Sequence, residues 1–253
     1  MTPPVVLTIA GSDSGGGAGV QADLKTFAAL GAYGTSVLTA ITAQNTRGVT
    51  AIHPVPADIV AAQLDAVLSD FPVAAVKVGM IADPAVAKVI ADRAARLPHL
   101  VVDPVLVATS GSRLGEASTV SVLLPYAEVV TPNRAEAGAL SGHRVETTSE
   151  MAAAAAVLAG LGPRAVVVTG SELAVDVLWA DGVVTELPGE PVPTANNHGS
   201  GCTFSSAIAV RLAAGDPVPE AVAAAKRYVT GALRGGASWR LGAGPGPLDH
   251  FWA

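Results

Sequence analysis

Short runs of apolar, mostly β-branched residues alternate along the chain with longer stretches rich in alanine and leucine. The short runs predict buried strands, at residues 5–10, 36–43, 75–78, 100–102, 128–131 and 165–169. The longer stretches predict helices, at residues 18–30, 58–70, 84–96, 133–140 and 149–161. Because strands and helices alternate in this way, we predict βαβ units and a mainly parallel sheet with helices on both faces.

The C-terminal third of the chain has a different pattern. Two short apolar runs, 175–180 and 183–187, are joined by Asp181-Gly182, a dipeptide typical of tight hairpin turns. We predict a small β-hairpin there, followed by helices at 201–214 and 219–233. No segment has the composition of a linker, so we interpret residues 1–253 as one α/β domain.

Composition and charge narrow the possible partners. Half of the residues are apolar and 14% are charged, which is typical of a chain with a large core. The formal net charge of −6 argues against nucleic acid and anionic membranes as partners. No apolar run is long enough to span a bilayer, and the N-terminal residues lack the basic segment of a signal peptide. Cys202 is the single cysteine, which excludes an internal disulfide and favours a reducing cytoplasm.

Polar and glycine residues follow the predicted strands. They are Gly11-Ser12-Asp13, Gln44-Asn45, Gly79-Met80, Asp103-Pro104, Pro132-Asn133 and Gly170-Ser171. In an open parallel sheet, ligands bind at the carboxyl ends of the strands. The sequence therefore predicts a binding site at this edge before any motif is considered.

The segment 197–203 stands immediately before an apolar helix. Gly199 and Gly201 allow the backbone to turn its N–H groups inward, and the helix N-terminus adds partial positive charge, so the segment predicts an anion cradle. The simpler alternative is a glycine turn with a capping hydroxyl. Cys202 favours the cradle, because a thiol at a helix N-terminus is expected to have a lowered pKa and could act as a base. An inert, buried cysteine is the alternative.

The glycine-rich segment 11–19 follows the first predicted strand and opens a helix. It is not a P-loop, because Gly17 stands where that motif requires lysine. We predict either a backbone that closes over a small ligand or a merely flexible turn.

Four further side chains at the sheet edge are candidates for binding a ligand or a metal ion. The spacing of Asn133 and Glu136 places both on one face of a first helical turn, where with Asp103 they could serve Mg²⁺ at phosphates. The same spacing also fits a capping box. The amide of Gln44 could donate to and accept from the edge of an aminopyrimidine or pyridine ring, or else satisfy loop backbone groups.

These motifs together resemble the hydroxymethylpyrimidine/phosphomethylpyrimidine kinases of thiamine biosynthesis, which have the ribokinase-like fold. The matching stretches are residues 7–13, 16–26, 31–34, 43–46, Asp103-Pro104-Val105, Thr131-Pro132-Asn133, 198–203 and 246–251. The resemblance implies a three-layer sandwich and transfer of phosphate from ATP, with Mg²⁺, to 4-amino-5-hydroxymethyl-2-methylpyrimidine and then to its monophosphate. We also expect a homodimer.

The resemblance implies roles for single residues. Gln44 would bind the pyrimidine ring, in a pocket lined by Met80 and Val107, and Cys202 would be the base. Gly11 and Asp13 would also contact the substrate, and Gly199, Ser200 and Gly201 would contact the transferring phosphoryl group. The residues implied for the ATP phosphates are Asp103, Asn133, Thr169 and Gly201. Asp103 and Glu136 would bind Mg²⁺.

Two positions depart from the family pattern. Thr109 and Thr169 stand where the family usually has lysine. The dipeptide Thr169-Gly170 resembles the corresponding sequence of the wider ribokinase group, which includes the pyridoxal kinases. We therefore expect a weaker second phosphorylation. The alternatives that we keep are a pyridoxine/pyridoxal kinase of the same fold and a non-catalytic pyrimidine-binding protein.

Overall fold

The computed structural model describes residues 2–107, 111 and 114–252. In this part of the chain nine strands form one sheet, in the order β3-β2-β1-β4-β5-β6-β7-β8-β9. The strands are β1 (Val5–Asp13), β2 (Tyr33–Asn45), β3 (Gly48–Pro54), β4 (Val73–Val78), β5 (Leu100–Val102), β6 (Val129–Val130), β7 (Ala165–Val168), β8 (Val175–Ala180) and β9 (Val183–Pro188). The helices are α1 (Gly19–Ala29), α2 (Ala57–Asp70), α3 (Pro84–Ala91), α4 (Ala117–Ser121), α5 (Arg134–Ser141), α6 (Thr148–Ala159), α7 (Ser200–Ala213) and α8 (Val218–Gly236).

The sheet is mainly parallel, which confirms the predicted fold class. Strands β2, β1, β4, β5, β6 and β7 pair in parallel, while β3, β8 and β9 add antiparallel pairs at the two edges. The predicted hairpin is strands β8 and β9, and Asp181 and Gly182 both take positive φ at its turn. Because these strands run parallel, their carboxyl ends lie at one edge of the sheet.

Apolar side chains cover both faces of the sheet. On β1, Leu7 and Ile9 pack into a cluster with α2 and α3, whereas Val6 packs into a second cluster with α1, α7 and α8. A third cluster joins α5 and α6 to β7 and β8. This alternation along β1 produces the predicted layers of helices on both faces.

Two elements were missing from the sequence prediction, and one predicted helix is too long. Strand β3 is largely exposed and is held by pairing with β2, so it has no apolar signature. Helix α4 has only five residues. The helix predicted at 84–96 ends at Ala91, and a separate 3₁₀ turn covers Ala94–Arg96. Among the described residues, every helix is too short or too polar to cross a bilayer.

Candidate active site

A cavity of about 1170 Å³ lies at the carboxyl ends of the parallel strands. All residues that the sequence analysis predicted for the site line it: Gly11, Asp13, Gln44, Met80, Asp103, Val107, Asn133, Glu136, Thr169, Gly199, Ser200, Gly201 and Cys202. Residues from the first and last thirds of the chain thus meet in one cavity of a size suited to two small ligands. The cavity thus lies where the sequence analysis predicted a binding site, at the carboxyl edge of the parallel sheet.

The predicted anion cradle is the N-terminus of α7. Gly199 has φ +88°, a left-handed conformation, and α7 begins at the next residue. Among the described residues, the N–H groups of Gly201 and Cys202 have no protein acceptor, whereas that of Thr203 donates to the Gly199 carbonyl at 2.9 Å. Two free N–H groups at the positive end of a 14-residue helix form an anion site.

Cys202 contacts charged groups as well as the helix terminus. Its thiol lies beside the Asp103 carboxylate and near the Gly19 N–H, and the Lys77 ammonium is a further charged neighbour. Burial raises the pKa of the thiol to about 12, and the negative charges of Asp103 and Asp23 add to this, while Lys77 opposes it. The expectation that the helix N-terminus lowers this pKa is therefore wrong for the protein without ligands, because burial and two carboxylates outweigh the helix dipole.

This raised pKa predicts slow alkylation of the thiol. Because the thiolate is the reactive form and its pKa lies near 12, the rate with iodoacetamide should rise about tenfold per pH unit from pH 7 to 9. An ordinary thiol would level off near its pKa of about 8.5. Mass spectrometry measures the rate at a single site, since the chain has one cysteine. A rate that levels off near pH 8 would contradict the raised pKa.

Asp103 and Glu136 form a buried pair of carboxylates. Burial and then the charge of Asp103 raise the pKa of Glu136 to about 7, and burial also raises that of Asp103. Glu136 accepts N–H bonds from Asn133 at 2.9 Å and from Leu106 at 3.3 Å, and the Asn133 side chain accepts the Glu136 N–H. The capping-box alternative is thus correct for this pair.

The same two carboxylates also suit a hydrated divalent cation. Within the described residues, no group of three or more His, Cys, Asp or Glu side chains could hold a metal. Mg²⁺ commonly takes only one or two protein carboxylates and completes its shell with water and phosphate oxygens. A carboxylate that raises the pKa of its neighbour, as Asp103 does for Glu136, marks a place where such a cation is favoured.

The first glycine-rich loop is held by Asp13. Its carboxylate accepts the N–H groups of Gly15, Gly17 and Ala18, and it lies 2.9 Å from Nε2 of His198. Burial opposes the charged form, but the bonds from His198 and the loop N–H groups outweigh it and hold the pKa of Asp13 below its ordinary value. Asp13, which was predicted to bind substrate, thus uses its carboxylate to hold the glycine-rich loop against the cradle.

The other end of the cavity carries the residues predicted to bind a ring. Gln44 is half-buried rather than buried, its Oε1 accepts from Thr42 Oγ1 at 3.1 Å, and the residue lines the cavity. A Cβ on Gly11 would lie 2.9 Å from Met80 Sδ, so these two residues are in contact. Val107 is 52% exposed at the rim.

A buried ion pair beside the cavity was missed by the sequence analysis. Lys77 on β4 and Asp23 on α1 are fully buried, with Nζ 2.9 and 3.0 Å from the two carboxylate oxygens. Burial lowers the pKa of Lys77, yet the negative charges, first of Asp23 and then of Cys202 and Asp103, outweigh it and raise this pKa. The sequence did contain one signal for this ion pair, which is a lysine inside an otherwise apolar strand.

Among the residues that the structure describes, the remaining cations of the cavity are paired. Arg134 lies 2.9 Å from Glu172, and Lys226 lies 2.6 Å from Asp176, whose other oxygen accepts the Gly170 N–H. Thr169 lines the cavity where the family usually has lysine. The other departure, Thr109, lies outside the described residues.

Comparison with known proteins identifies the family. A family model described as phosphomethylpyrimidine kinase matches residues 13–249. The chain belongs to this family. The hydroxymethylpyrimidine/phosphomethylpyrimidine kinase of Rhizobium meliloti (strain 1021) is 50% identical over 257 residues, covering 98% of this chain and 97% of the relative.

Two solved structures are similar over nearly the whole chain. Phosphomethylpyrimidine kinase from Clostridium difficile 630 has a TM-score of 0.80 and 40% identity, covering 91% of this chain and 99% of its own. A Bacillus subtilis pyridoxal kinase solved as an ADP complex has a TM-score of 0.90 and 36% identity, covering 98% of both chains. The ribokinase-like fold is therefore confirmed.

These findings confirm the function predicted from the sequence. The protein is an ATP-using kinase of the phosphomethylpyrimidine kinase family, whose curated relatives are named for hydroxymethylpyrimidine and phosphomethylpyrimidine. The fold is shared with pyridoxal kinases, so the fold alone does not separate the two substrates. The family match and the 50% identity favour the pyrimidine kinase over the pyridoxal kinase and over a non-catalytic binding protein.

Proposed function

We propose that this cavity transfers the γ-phosphoryl group of ATP to the hydroxymethyl group of the pyrimidine, with Mg²⁺ at Asp103 and Glu136. The observation that carries the proposal is the meeting of the cradle N–H groups, the Cys202 thiol and the Asp103–Glu136 pair in one cavity with Gln44 and Met80. Phosphoryl transfer needs alignment and charge stabilisation, and these groups supply both.

Each part of the cavity has its own task in this proposal. Gln44 pairs with the ring edge, Met80 and Val107 pack against its faces, and Gly11 leaves room for it. The N–H groups of Gly201 and Cys202 hold oxygens of the transferring group, while Asn133 and Thr169 face the other phosphates. The Asp13–His198 pair keeps the first loop against the cradle.

Cys202 removes the proton of the substrate hydroxyl. When bound, Mg²⁺ would neutralise phosphate charge and the charge of the two carboxylates, which lowers the pKa of the neighbouring thiol. Lys77 and then the nearby Gly19 N–H already favour the thiolate, so these two groups assist the transfer of the substrate proton to the sulfur.

A direct assay tests the proposal. Purified protein with ATP and Mg²⁺ is offered the pyrimidine alcohol, its monophosphate and pyridoxal, and products are identified by mass spectrometry. We expect the highest kcat/KM with the pyrimidine alcohol. A higher kcat/KM with pyridoxal would contradict the assignment of the ring site.

The second phosphorylation is expected to be the weaker reaction. It brings two anionic groups together, and Thr169 offers no charge where relatives usually have lysine. Thr169→Lys should raise kcat/KM for the monophosphate about tenfold, the effect of one charge-assisted hydrogen bond of ~1.4 kcal/mol. Thr169→Met adds similar length without charge and is the control. A wild-type kcat/KM for the monophosphate that equals or exceeds that for the alcohol would contradict this expectation.

We further infer that the protein is a cytoplasmic homodimer, which is the expectation of the sequence analysis. The exposed edge strand β3 is consistent with a surface that a second copy covers. Size-exclusion chromatography with light scattering measures the oligomeric state.

A further inference from the structure

A buried network of charges and hydroxyls lies next to Cys202. The Lys77 ammonium is fully buried, and both oxygens of Asp23 hold it. Asp23 also accepts hydroxyl bonds from Thr8 on β1 at 2.6 Å and from Ser206 on α7 at 2.8 Å. Four separate elements therefore converge on one buried ion pair.

Stability alone is a weak reason for such a pair. Desolvating two charges costs about as much as their attraction returns, and apolar side chains of similar volume are often as stabilising. The clusters around the sheet are otherwise built from Val, Ile, Leu and Ala. A lysine in the middle of this core calls for a reason beyond packing.

The network reaches the reactive groups through Asp103. Lys77 Nζ lies 3.9 Å from Asp103 Oδ2, and Ser205 Oγ donates to the same oxygen at 3.2 Å. Cys202 is a close neighbour of this carboxylate and affects its pKa. A Cβ built on Gly201 would lie 4.0 Å from the same Oδ2, so the carboxylate is also close to the cradle.

The other cations that line the described part of the cavity already form ion pairs with carboxylates. Arg134 pairs with Glu172 and Lys226 pairs with Asp176, and both carboxylates of these pairs belong to the cavity wall. The cradle itself offers only neutral N–H groups. Lys77 is therefore the cation whose position is fixed beside Cys202.

We propose that Lys77 is a positioning residue for phosphoryl transfer: held by Asp23, its ammonium fixes the Asp103 carboxylate beside Cys202 and adds positive charge next to the cradle. This proposal rests on the proposed function of the cavity. It assigns Asp23, Thr8 and Ser206 to holding the lysine in place. Because Lys77 acts on groups that respond to the transferring charge, its loss should lower kcat more than it raises KM.

The test compares single and double variants. Lys77→Met leaves the Asp23 charge buried with only the Thr8 and Ser206 hydroxyls and no cation, and is expected to be unstable, whereas Lys77→Met with Asp23→Asn removes both charges and should recover much of the free energy of unfolding. The proposal expects the folded double variant to keep kcat about 10²-fold below wild type, with KM for both substrates nearly unchanged. Asp23→Asn, which retains the ammonium beside Asp103, should keep a higher kcat than the double variant.

A matched control removes an ion pair outside the cavity. Arg93 and Asp65 join α2 to the segment after α3 at 2.6 Å, and neither residue lines the cavity. Arg93→Met with Asp65→Asn should leave kcat and KM unchanged. A Lys77/Asp23 double variant that is folded and has near wild-type kcat would overturn the proposal, as would one whose kcat exceeds that of Asp23→Asn.

Binding of a phosphoryl mimic separates this proposal from the assignment of the substrate. ADP with aluminium fluoride imitates the charge of the transferring group, and calorimetry compares its binding with that of ADP alone. We expect the double variant to bind ADP normally and to lose most of the gain from aluminium fluoride. Equal gains in the variant and wild type would refute the role of Lys77, whereas absent turnover of the pyrimidine by wild type would refute only the proposed function.

Discussion

Replacing Cys202 with serine is expected to lower kcat by about 10²-fold or more, the usual effect of losing a general base, while ATP binding survives. Serine keeps nearly the same shape but is a far weaker acid than cysteine. The thiol shares one cavity with the cradle and is a neighbour of the Asp103 carboxylate, so its proton can respond to both. Steady-state kinetics with the pyrimidine alcohol gives kcat, and calorimetry gives the affinity for ATP.

Two further substitutions identify the property of Cys202 that matters. Cys202→Asp should retain more activity than Cys202→Ser, because a carboxylate can accept the proton and Lys77 partly offsets its repulsion from Asp103. Cys202→Ala removes the thiol altogether and should resemble the serine variant. If serine supports the wild-type kcat, residue 202 only packs and the backbone cradle carries the catalysis.

Much of the fold could be predicted because burial leaves a pattern in the sequence. Strand β5 is buried at all three positions and was predicted with its observed ends, and β8 was likewise predicted correctly. Strand β1 is longer than predicted, since it continues through a register shift into the glycine-rich loop as far as Asp13. Strand β3 could not be predicted, because backbone pairing with β2 and not burial forms it.

The location of the site could be predicted, but its electrostatics could not. The sheet edge determines which residues line the cavity, and this depends only on where the strands end. The charge state of Cys202 depends on Lys77 and Asp23, which come from β4 and α1 and are distant in sequence. Asp13 bonds to His198, which is 185 positions away in the sequence. The residues around Asp13 therefore give no sign that its carboxylate holds the loop against the cradle.

Replacing Gly199 with alanine is expected to lower kcat/KM by about 10²- to 10³-fold, the range reported for losing one donor of an oxyanion site. Gly199 has φ +88°, where a side chain is strained by about 1 kcal/mol. A Cβ there would also overlap the carbonyl oxygen of Gly17, a backbone atom of the first loop. The overlap can be relieved only by separating the cradle from the loop, which moves the N–H groups of Gly201 and Cys202 away from the phosphoryl group.

The opposite end of the same helix offers a matched control. Gly215 follows α7 with φ +94°, and a Cβ there would have no atom within 4 Å. Gly215→Ala therefore imposes a similar backbone strain without a steric overlap and far from the cavity lining. Both variants should unfold at lower urea concentration than wild type, and only Gly199→Ala should lose activity. A Gly199→Ala enzyme with kcat/KM within a few-fold of wild type would show that transfer does not require this close approach of loop and cradle.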